Sequence, residues 1–208
     1  MDLSVIIINY KQKEYTLNCI NSLKEHLKCS YEIILINNSP HIDKISIDGV
    51  KIFTKSNNGY SRSNNFAAKQ ANGKYLLFLN ADTILTNDFS EAFLSQFEKK
   101  EFGAVGIGLK YPDGRYQLSY WNENNFSNEI KNKKLEKAFK KNDRKVTDKY
   151  TQENVIKEVE WVSGASLIVR RDVFESINGF DEDYFLFYED ADLCKRLTKR
   201  GYKIYYFP

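Results

Sequence analysis

Glycine is missing from the first 48 residues; the first one is Gly49. A dinucleotide-binding G-x-G-x-x-G turn or a Walker phosphate loop needs glycines where a first strand turns into a first helix, since only a backbone without Cβ comes that close to a phosphate. That turn here reads NYKQKEY. Rossmann dehydrogenases and P-loop enzymes are therefore poor candidates. Sugar-nucleotide pyrophosphorylases, with a related sheet and a Gly-rich first loop, are disfavoured for the same reason. Histidine is almost as scarce. His26 and His41 are isolated and early in the chain, and read as a helix-surface and a loop residue without a catalytic role. The three cysteines (Cys19, Cys29, Cys194) make an odd set with no C-x-x-C spacing, which speaks against zinc and for reduced thiols in a cytosolic protein. Charge of one sign is lacking too. Thirty-one basic against 28 acidic residues leave +3, too balanced for a nucleic-acid binder. No apolar run approaches the roughly 20 residues of a membrane-spanning helix. The start, MDLSVIIINY, has no basic residues ahead of its aliphatics and reads as a strand rather than a signal peptide. The expected location is cytoplasmic, with any membrane contact peripheral.

What is present alternates. Residues 3–8, 32–36, 50–54 and 74–79 are short apolar or β-branched runs, as in strands buried on both faces. Helical spacing over residues 13–28, and from Gly59 to Ala71, separates them, with Gly73 as the expected helix-ending glycine. This pattern predicts an α/β fold with a Rossmann-like, mainly parallel central sheet flanked by helices. A further helix over about 88–99, a Gly-rich strand over 102–109, and a Pro112-Asp113-Gly114 turn between two short extended pieces follow. Residues 122–157 are polar and rich in Lys and Asn. Between 131 and 149 there are nine Lys or Arg against three Asp or Glu. Apolar order returns at Val159, passes through WVSGAS into 167–169, a short helix over 171–177 ended by Gly179, and a last strand over 203–207.

The stretch YLLFLNADTIL drives an apolar strand straight into Asn80-Ala81-Asp82. In open α/β sheets ligands bind at the carboxyl edge of the strands, so a central strand would deliver these side chains to the crevice. Two neighbouring oxygen-bearing groups suit Mg²⁺ or Mn²⁺, which take one or two carboxylates and fill the remaining positions with water and phosphate; a plain turn or helix cap is the structural alternative. A second acidic group, Glu189-Asp190-Ala191-Asp192, begins a helix with Leu193, Cys194 and Leu197 inward. Asp190 shares that face, while Asp192 pairs with Arg196 one turn on. The aromatic run YFLFY immediately before is expected to desolvate the acids and raise a carboxylate towards a useful general base. Helix-dipole complementarity is the competing explanation.

Together LSVIIINYKQ, EIILINNS, SNNGYSRSNNFAAKQANGKYLLFLNADTIL, the hairpin around PDGRY, and VEWVSGASLIVRRDVFESINGFDEDYFLFYEDADLCKRLTKRGYKIYYFP resemble the family 2 glycosyltransferases of GT-A fold, in particular the bacterial rhamnosyltransferase-like branch. The resemblance runs the whole chain in order. It implies one GT-A domain over 1–208, with a nucleotide-sugar-binding half (1–100) and an acceptor-side half (101–208) carrying a small antiparallel extension and the basic insertion at about 122–157. It implies nucleotide contacts from Asn9, Tyr10, Asn37, Asn58, Gly59, Ser61, Asn65 and Asn80. Asp82 would be the ligand of Mn²⁺ or Mg²⁺. Trp161, Ser163, Gly164 and Ala165 would lie under the donor sugar and acceptor, and Asp190 would be the general base, with Glu189 as its substitute. The implied activity is inverting transfer from a nucleotide-diphospho-sugar (dTDP-rhamnose or a UDP-hexose) to a hydroxyl of a polysaccharide or lipid-linked glycan for the cell surface. A non-catalytic sugar-nucleotide-binding domain is the alternative. Many relatives have Asp where this chain has Asn37, which can hydrogen-bond but brings no charge, and Asn80 at the first position of the Asp-X-Asp motif is a familiar variant of the branch. Two departures stand out. The branch often continues past its last strand into a metal-binding histidine, and no histidine follows His41, so a C-terminal truncation or a weakened metal affinity is expected. Residues 122–157 match nothing in the family pattern. The basic stretch 131–149 would meet a lipid diphosphate or an anionic membrane, each cation near such a surface contributing about 1 kcal/mol, or form a solvated flap.

Overall fold

The computed structural model describes residues 1–121 and 155–208, together with 133–135, 137–139, 141, 143 and 147 of the intervening segment. Strands β1 (Leu3–Asn9), β2 (Tyr31–Asn37), β3 (Val50–Thr54) and β4 (Tyr75–Asn80) pair in parallel, in the order β3-β2-β1-β4. Their unbroken apolar runs follow from cover on both faces. Val5, Ile7, Leu35 and Leu77 face one core with Ile20 and Leu23 of α1 (Lys13–His26) and Phe93 and Phe97 of α3 (Ser90–Phe97). Ile6, Ile34, Leu76 and Phe78 face the other. There Ala67 and Ala68 of α2 (Tyr60–Ala68), Val173 and Phe174 of α4 (Arg171–Ser176), and Leu193 and Leu197 of α5 (Glu189–Lys199) close over them.

The second half extends the same sheet. Strand β5 (Ala104–Ile107) leads to a hairpin of β6 (Leu109–Lys110) and β7 (Tyr116–Gln117) around the Pro112-Asp113-Gly114 turn, where Gly114 takes φ +82°. The short β8 (Tyr120–Trp121) pairs with β10 (Trp161–Val162). Strand β11 (Ser166–Arg170) runs antiparallel between β4 and β5, and β12 (Ile204–Phe207) lies between β5 and β9 (Lys157–Val159). The full order is β3-β2-β1-β4-β11-β5-β12-β9. Part of the antiparallel character thus sits inside the main sheet, beside β4.

Helix α2 ends at Ala68, earlier than its sequence pattern suggests. Gly73 is not its left-handed terminator. It packs flat against β1, where an added Cβ would lie 2.4 Å from the Ser4 amide nitrogen. Most of the basic stretch 131–149 lies outside the described residues. Within it, Leu135 and Phe139 pack with Leu118 and Trp121 in a small separate core. No helix among the described residues is long and apolar enough to cross a membrane.

Candidate active site

Register aligns the carboxyl edge. Thr54 stands opposite Asn37, Asn37 opposite Asn9, and Asn80 opposite Ile8. An open pocket of about 500 Å³ lies above the β1 to β3 end of this row, lined by Tyr10, Lys11, Asn38, Ser39, His41 and Lys55 among others. Tyr10 is 45% exposed and available to a ligand. Asn9 and Asn37 are buried and serve the pocket's floor. The Asn9 Nδ2 group donates to Asn37 Oδ1 (3.0 Å), Ser39 Oγ (3.1 Å) and Asp43 Oδ2 (2.9 Å), while its Oδ1 accepts from Thr16 Oγ1 (2.9 Å). Asn37 Nδ2 donates to the Asp43 carbonyl at 2.6 Å. The Asn9 amide, ahead of the Ser39 hydroxyl, holds the Asp43 carboxyl below its usual range. Their side-chain bonding is largely used inside the protein, so pocket contacts fall to Tyr10 and the 38–42 and 54–56 loops.

The Asn80-Ala81-Asp82 segment is a tight turn. Thr83 donates to the Asn80 carbonyl twice, from its amide (3.2 Å) and from its hydroxyl (2.6 Å). The buried Cys19 thiol, pushed up to about 11 by burial, lies against the same carbonyl at 3.8 Å. The turn leaves Asp82 exposed, and its carboxylate has no hydrogen bond or ion pair among the described residues. It caps no helix; Asp88 caps α3 through Ser90 and Glu91. One exposed carboxylate, two residues from a partly exposed asparagine, suits a hard divalent ion that takes its other ligands from a diphosphate and water. Among the described residues no cluster of three or more His, Cys, Asp or Glu forms a closed metal cage.

From this turn a chain of hydrogen bonds leads to Asp190. The Asn80 amide donates to the Ala165 carbonyl at 3.0 Å. One residue back, the Gly164 amide donates to Asp190 Oδ2 at 2.8 Å, and Ala191 N–H donates to Asp190 Oδ1, also at 2.8 Å. Each carboxylate oxygen keeps a second lone pair. Burial pushes the Asp190 carboxyl above its ordinary value, and the Gly164 and Ala191 amides oppose that shift. Glu189 is 6% exposed; burial, with the Asp190 charge adding to it, pushes its carboxyl up to about 7, and its Oε2 has no partner among the described residues. Tyr60 closes the group, its hydroxyl donating to the Gly164 carbonyl at 3.0 Å. Asp192 pairs with Arg196 at 2.6 Å, as its spacing suggests.

Other expected residues distribute as follows. Gly59, at φ +98°, fits against Phe185, whose carbonyl oxygen an added Cβ would approach to 2.8 Å. Asn58 is exposed, while Ser61 is buried with a hydroxyl that has no partner among the described residues. Asn65 grips the backbone of Phe180 on both sides, at 2.8 and 2.9 Å. Ser163 and Ala165 line the turn around Gly164, whereas Trp161 stacks on Trp121 with centroids 3.8 Å apart. The aromatic run does not wall the acids: Phe185, Leu186, Phe187 and Tyr188 are 58, 50, 70 and 60% exposed. Tyr60 and residue 164 stand against Asp190 instead. Sequence reasoning passed over Tyr60, Thr83, Ser39 and Asp43. For Tyr60, which is half-buried, the partner of its hydroxyl lies more than a hundred residues away in the chain, and no local pattern announces it.

Known proteins resemble this chain in sequence and in fold. The chain is 26% identical over 218 residues to rhamnosyltransferase WbbL of Escherichia coli (strain K12), covering 98% of this chain and 80% of that protein. A 50-residue stretch is 50% identical to the N-acetylglucosaminyl-diphospho-decaprenol L-rhamnosyltransferase of Mycobacterium tuberculosis, 24% of this chain and 16% of that protein. The crystal structure of GalNAc-T7 with UDP, GalNAc and Mn²⁺ superimposes with TM-score 0.70 at 14% identity, over all of this chain and 42% of that one. Mannosyltransferase PcManGT from Pyrobaculum calidifontis, in complex with GDP-Man and Mn²⁺, gives 0.62 at 15% identity, over 99% of this chain and 54% of that one. The chain thus spans about half the length of these solved structures. Residues 150–208 match the N-terminal domain of galactosyltransferase profile. Residues 4–175 match the profile of glycosyl transferase family 2, and with the GT-A architecture of its sheet the chain belongs to that family.

Proposed function

We propose that this protein transfers a sugar from a nucleotide-diphospho-sugar to a hydroxyl of a glycan or lipid-linked acceptor, inverting the anomeric carbon, with Asp190 as general base. The carrying observation is the hydrogen-bonded path Asn80–Ala165–Gly164–Asp190, which joins a turn bearing a free carboxylate to a half-buried one along the edge that holds the pocket. Tyr10 and the 38–42 and 54–56 loops bind the nucleoside. Asp82, with Asn80 beside it, would hold Mn²⁺ or Mg²⁺, which when bound supplies positive charge next to the diphosphate. Asp190 accepts the proton of the acceptor hydroxyl through a free lone pair while that oxygen bonds to the anomeric carbon. The bond from that carbon to the diphosphate breaks on the opposite face, and its electron pair leaves with the nucleoside diphosphate. The Gly164 and Ala191 amides orient the carboxylate for that transfer. The relatives named for rhamnosyl transfer support dTDP-rhamnose as the first donor to try, with UDP-hexoses second.

The test is Asp190→Asn assayed with dTDP-rhamnose and UDP-glucose in Mn²⁺. Loss of about 10²–10⁴-fold in turnover is expected for removal of a general base, with donor binding by calorimetry kept. Full turnover in the variant rejects the base. Donor binding without turnover by the wild type favours a non-catalytic binding domain.

A further inference from the structure

We infer that Tyr60 is a positioning residue for Asp190, holding the carboxylate from the donor-side helix α2 through Gly164 and Phe185; this rests on Asp190 being the base. Two separate hydrogen bonds carry it. The Tyr60 hydroxyl donates to the Gly164 carbonyl at 3.0 Å, and the Tyr60 amide donates to the Phe185 carbonyl at 2.8 Å. The first of these segments bonds Asp190 directly, and the second leads into the helix that carries it. Gly164 donates its own amide to Asp190 Oδ2 at 2.8 Å. Phe185 lies on the turn that feeds α5, and Phe187 and Tyr188 of that turn take φ +71° and +67°. Left-handed backbone at two successive side-chain-bearing residues is unfavourable, so the entry into α5 needs an outside anchor. The Gly59–Tyr60 contact with Phe185 is that anchor, and only glycine fits at position 59.

The Gly164 clamp works on both sides of one α-carbon. Its carbonyl is pinned by Tyr60 and its amide points at Asp190, and an added Cβ would sit 3.6 Å from both Asp190 Oδ2 and Tyr60 Oη. Turning the Gly164 amide away from Asp190 strains the Tyr60 bond. Helix α2 also reaches the nucleotide pocket, since Asn38 Nδ2 donates to Ser63 Oγ at 2.8 Å. One short helix therefore ties the pocket wall to the base. The ionisable groups that act on one another here are Glu189, Asp190, Cys194 and Tyr60, with Asp192 and Arg196 also acting on Cys194.

The test uses Tyr60→Phe, which removes only the hydroxyl and keeps the ring beside Phe180. The Asp190 carboxyl is titrated by carbon-13 NMR in the free protein, its signal assigned by its loss in Asp190→Asn. With Gly164 released, burial is less opposed, and the Asp190 midpoint is expected to rise by about half a pH unit or more. An unchanged midpoint overturns the inference, whatever the donor proves to be. Thermal melts of both proteins fix a temperature at which each is folded. In turnover with dTDP-rhamnose or UDP-glucose, kcat is expected to fall about tenfold, the scale of one hydrogen bond, with donor KM within twofold. A raised KM at unchanged kcat assigns Tyr60 to donor binding instead and also overturns it. Activity of Asp190→Asn is a separate arm: its persistence rejects the base itself, while its loss beside a wild-type Tyr60→Phe rejects only the role of Tyr60.

Discussion

Glu189 and Asp190 are chain neighbours with opposite bonding. Asp190 takes one amide hydrogen on each oxygen; Glu189 is buried and has an oxygen with no partner among the described residues. Burial without compensation favours the neutral acid. A carboxyl raised from 4.5 to about 7 on folding binds more protons folded than unfolded between those values. Its stabilisation is whole below the unfolded pKa and is lost as pH rises through the folded one. The loss above pH 7 is on the order of 3 kcal/mol. Glu189→Gln carries the shape of the neutral acid at every pH. Urea unfolding at pH 5 and pH 8 is expected to show wild type losing stability across that range and the variant losing much less, the remainder coming from Asp190, whose shift has the same sign. Equal slopes for the two proteins would show that Glu189 is ionised in the fold.

At the scale of elements, Asn65 shows how α2 fastens a neighbouring loop. Its amide donates to the Phe180 carbonyl and to Glu182 Oε1 (3.1 Å), and its oxygen accepts from Phe180 N–H. Gly179, at φ +70°, leaves the space this requires. Asn65→Ala strands a buried donor and a buried acceptor on Phe180, with an expected cost of about 2–4 kcal/mol. Asn65→Asp should cost a similar amount, because its second oxygen would face the Phe180 carbonyl and the Glu182 carboxylate. Chemical denaturation measures both. Weakened donor affinity at unchanged stability would instead make Asn65 a nucleotide contact, as the family resemblance implies. The elements themselves were readable where burial shaped the pattern. Strands β1, β2 and β4 lie between two helical layers and read as unbroken apolar runs. The insertion of β11 between β4 and β5 was not readable, because the apolar run at 167–169 looks the same in either direction and its partners lie far away in the chain. Gly73 was misread as a helix terminator because its close approach to Ser4 is a long-range contact. The acids at 82 and 190 were visible as breaks in apolar order. The engagement of Asn9 was not, since Ser39 and Asp43 lie in a loop without periodicity.

On the scale of the whole molecule, the first half of the sheet supplies the pocket and the free carboxylate of Asp82, and the second supplies Gly164, Ala165 and Asp190. They meet where β11 pairs with β4, Ser166 opposite Leu79. A donor spanning this junction would bind both halves in their native arrangement only, so its binding free energy adds to the stability of the fold. At 100 times its dissociation constant that is about 2.7 kcal/mol, or a rise in melting temperature of roughly 5–10 °C for a domain of this size. The increment divides by chemistry. On the proposed assignment, pocket contacts would respond to the nucleoside diphosphate alone, whereas the part that depends on Mn²⁺ would pass through Asp82. Wild type with UDP or dTDP is therefore expected to melt higher again when Mn²⁺ is added. Asp82→Ala should keep the nucleotide shift and lose the metal-dependent part, and because Asp82 is exposed and unpaired among the described residues, its melting without ligand should be that of the wild type. A Mn²⁺ increment that survives in Asp82→Ala would move the metal to other side chains, and no increment in either protein would leave the departing diphosphate to be stabilised by the protein's own groups.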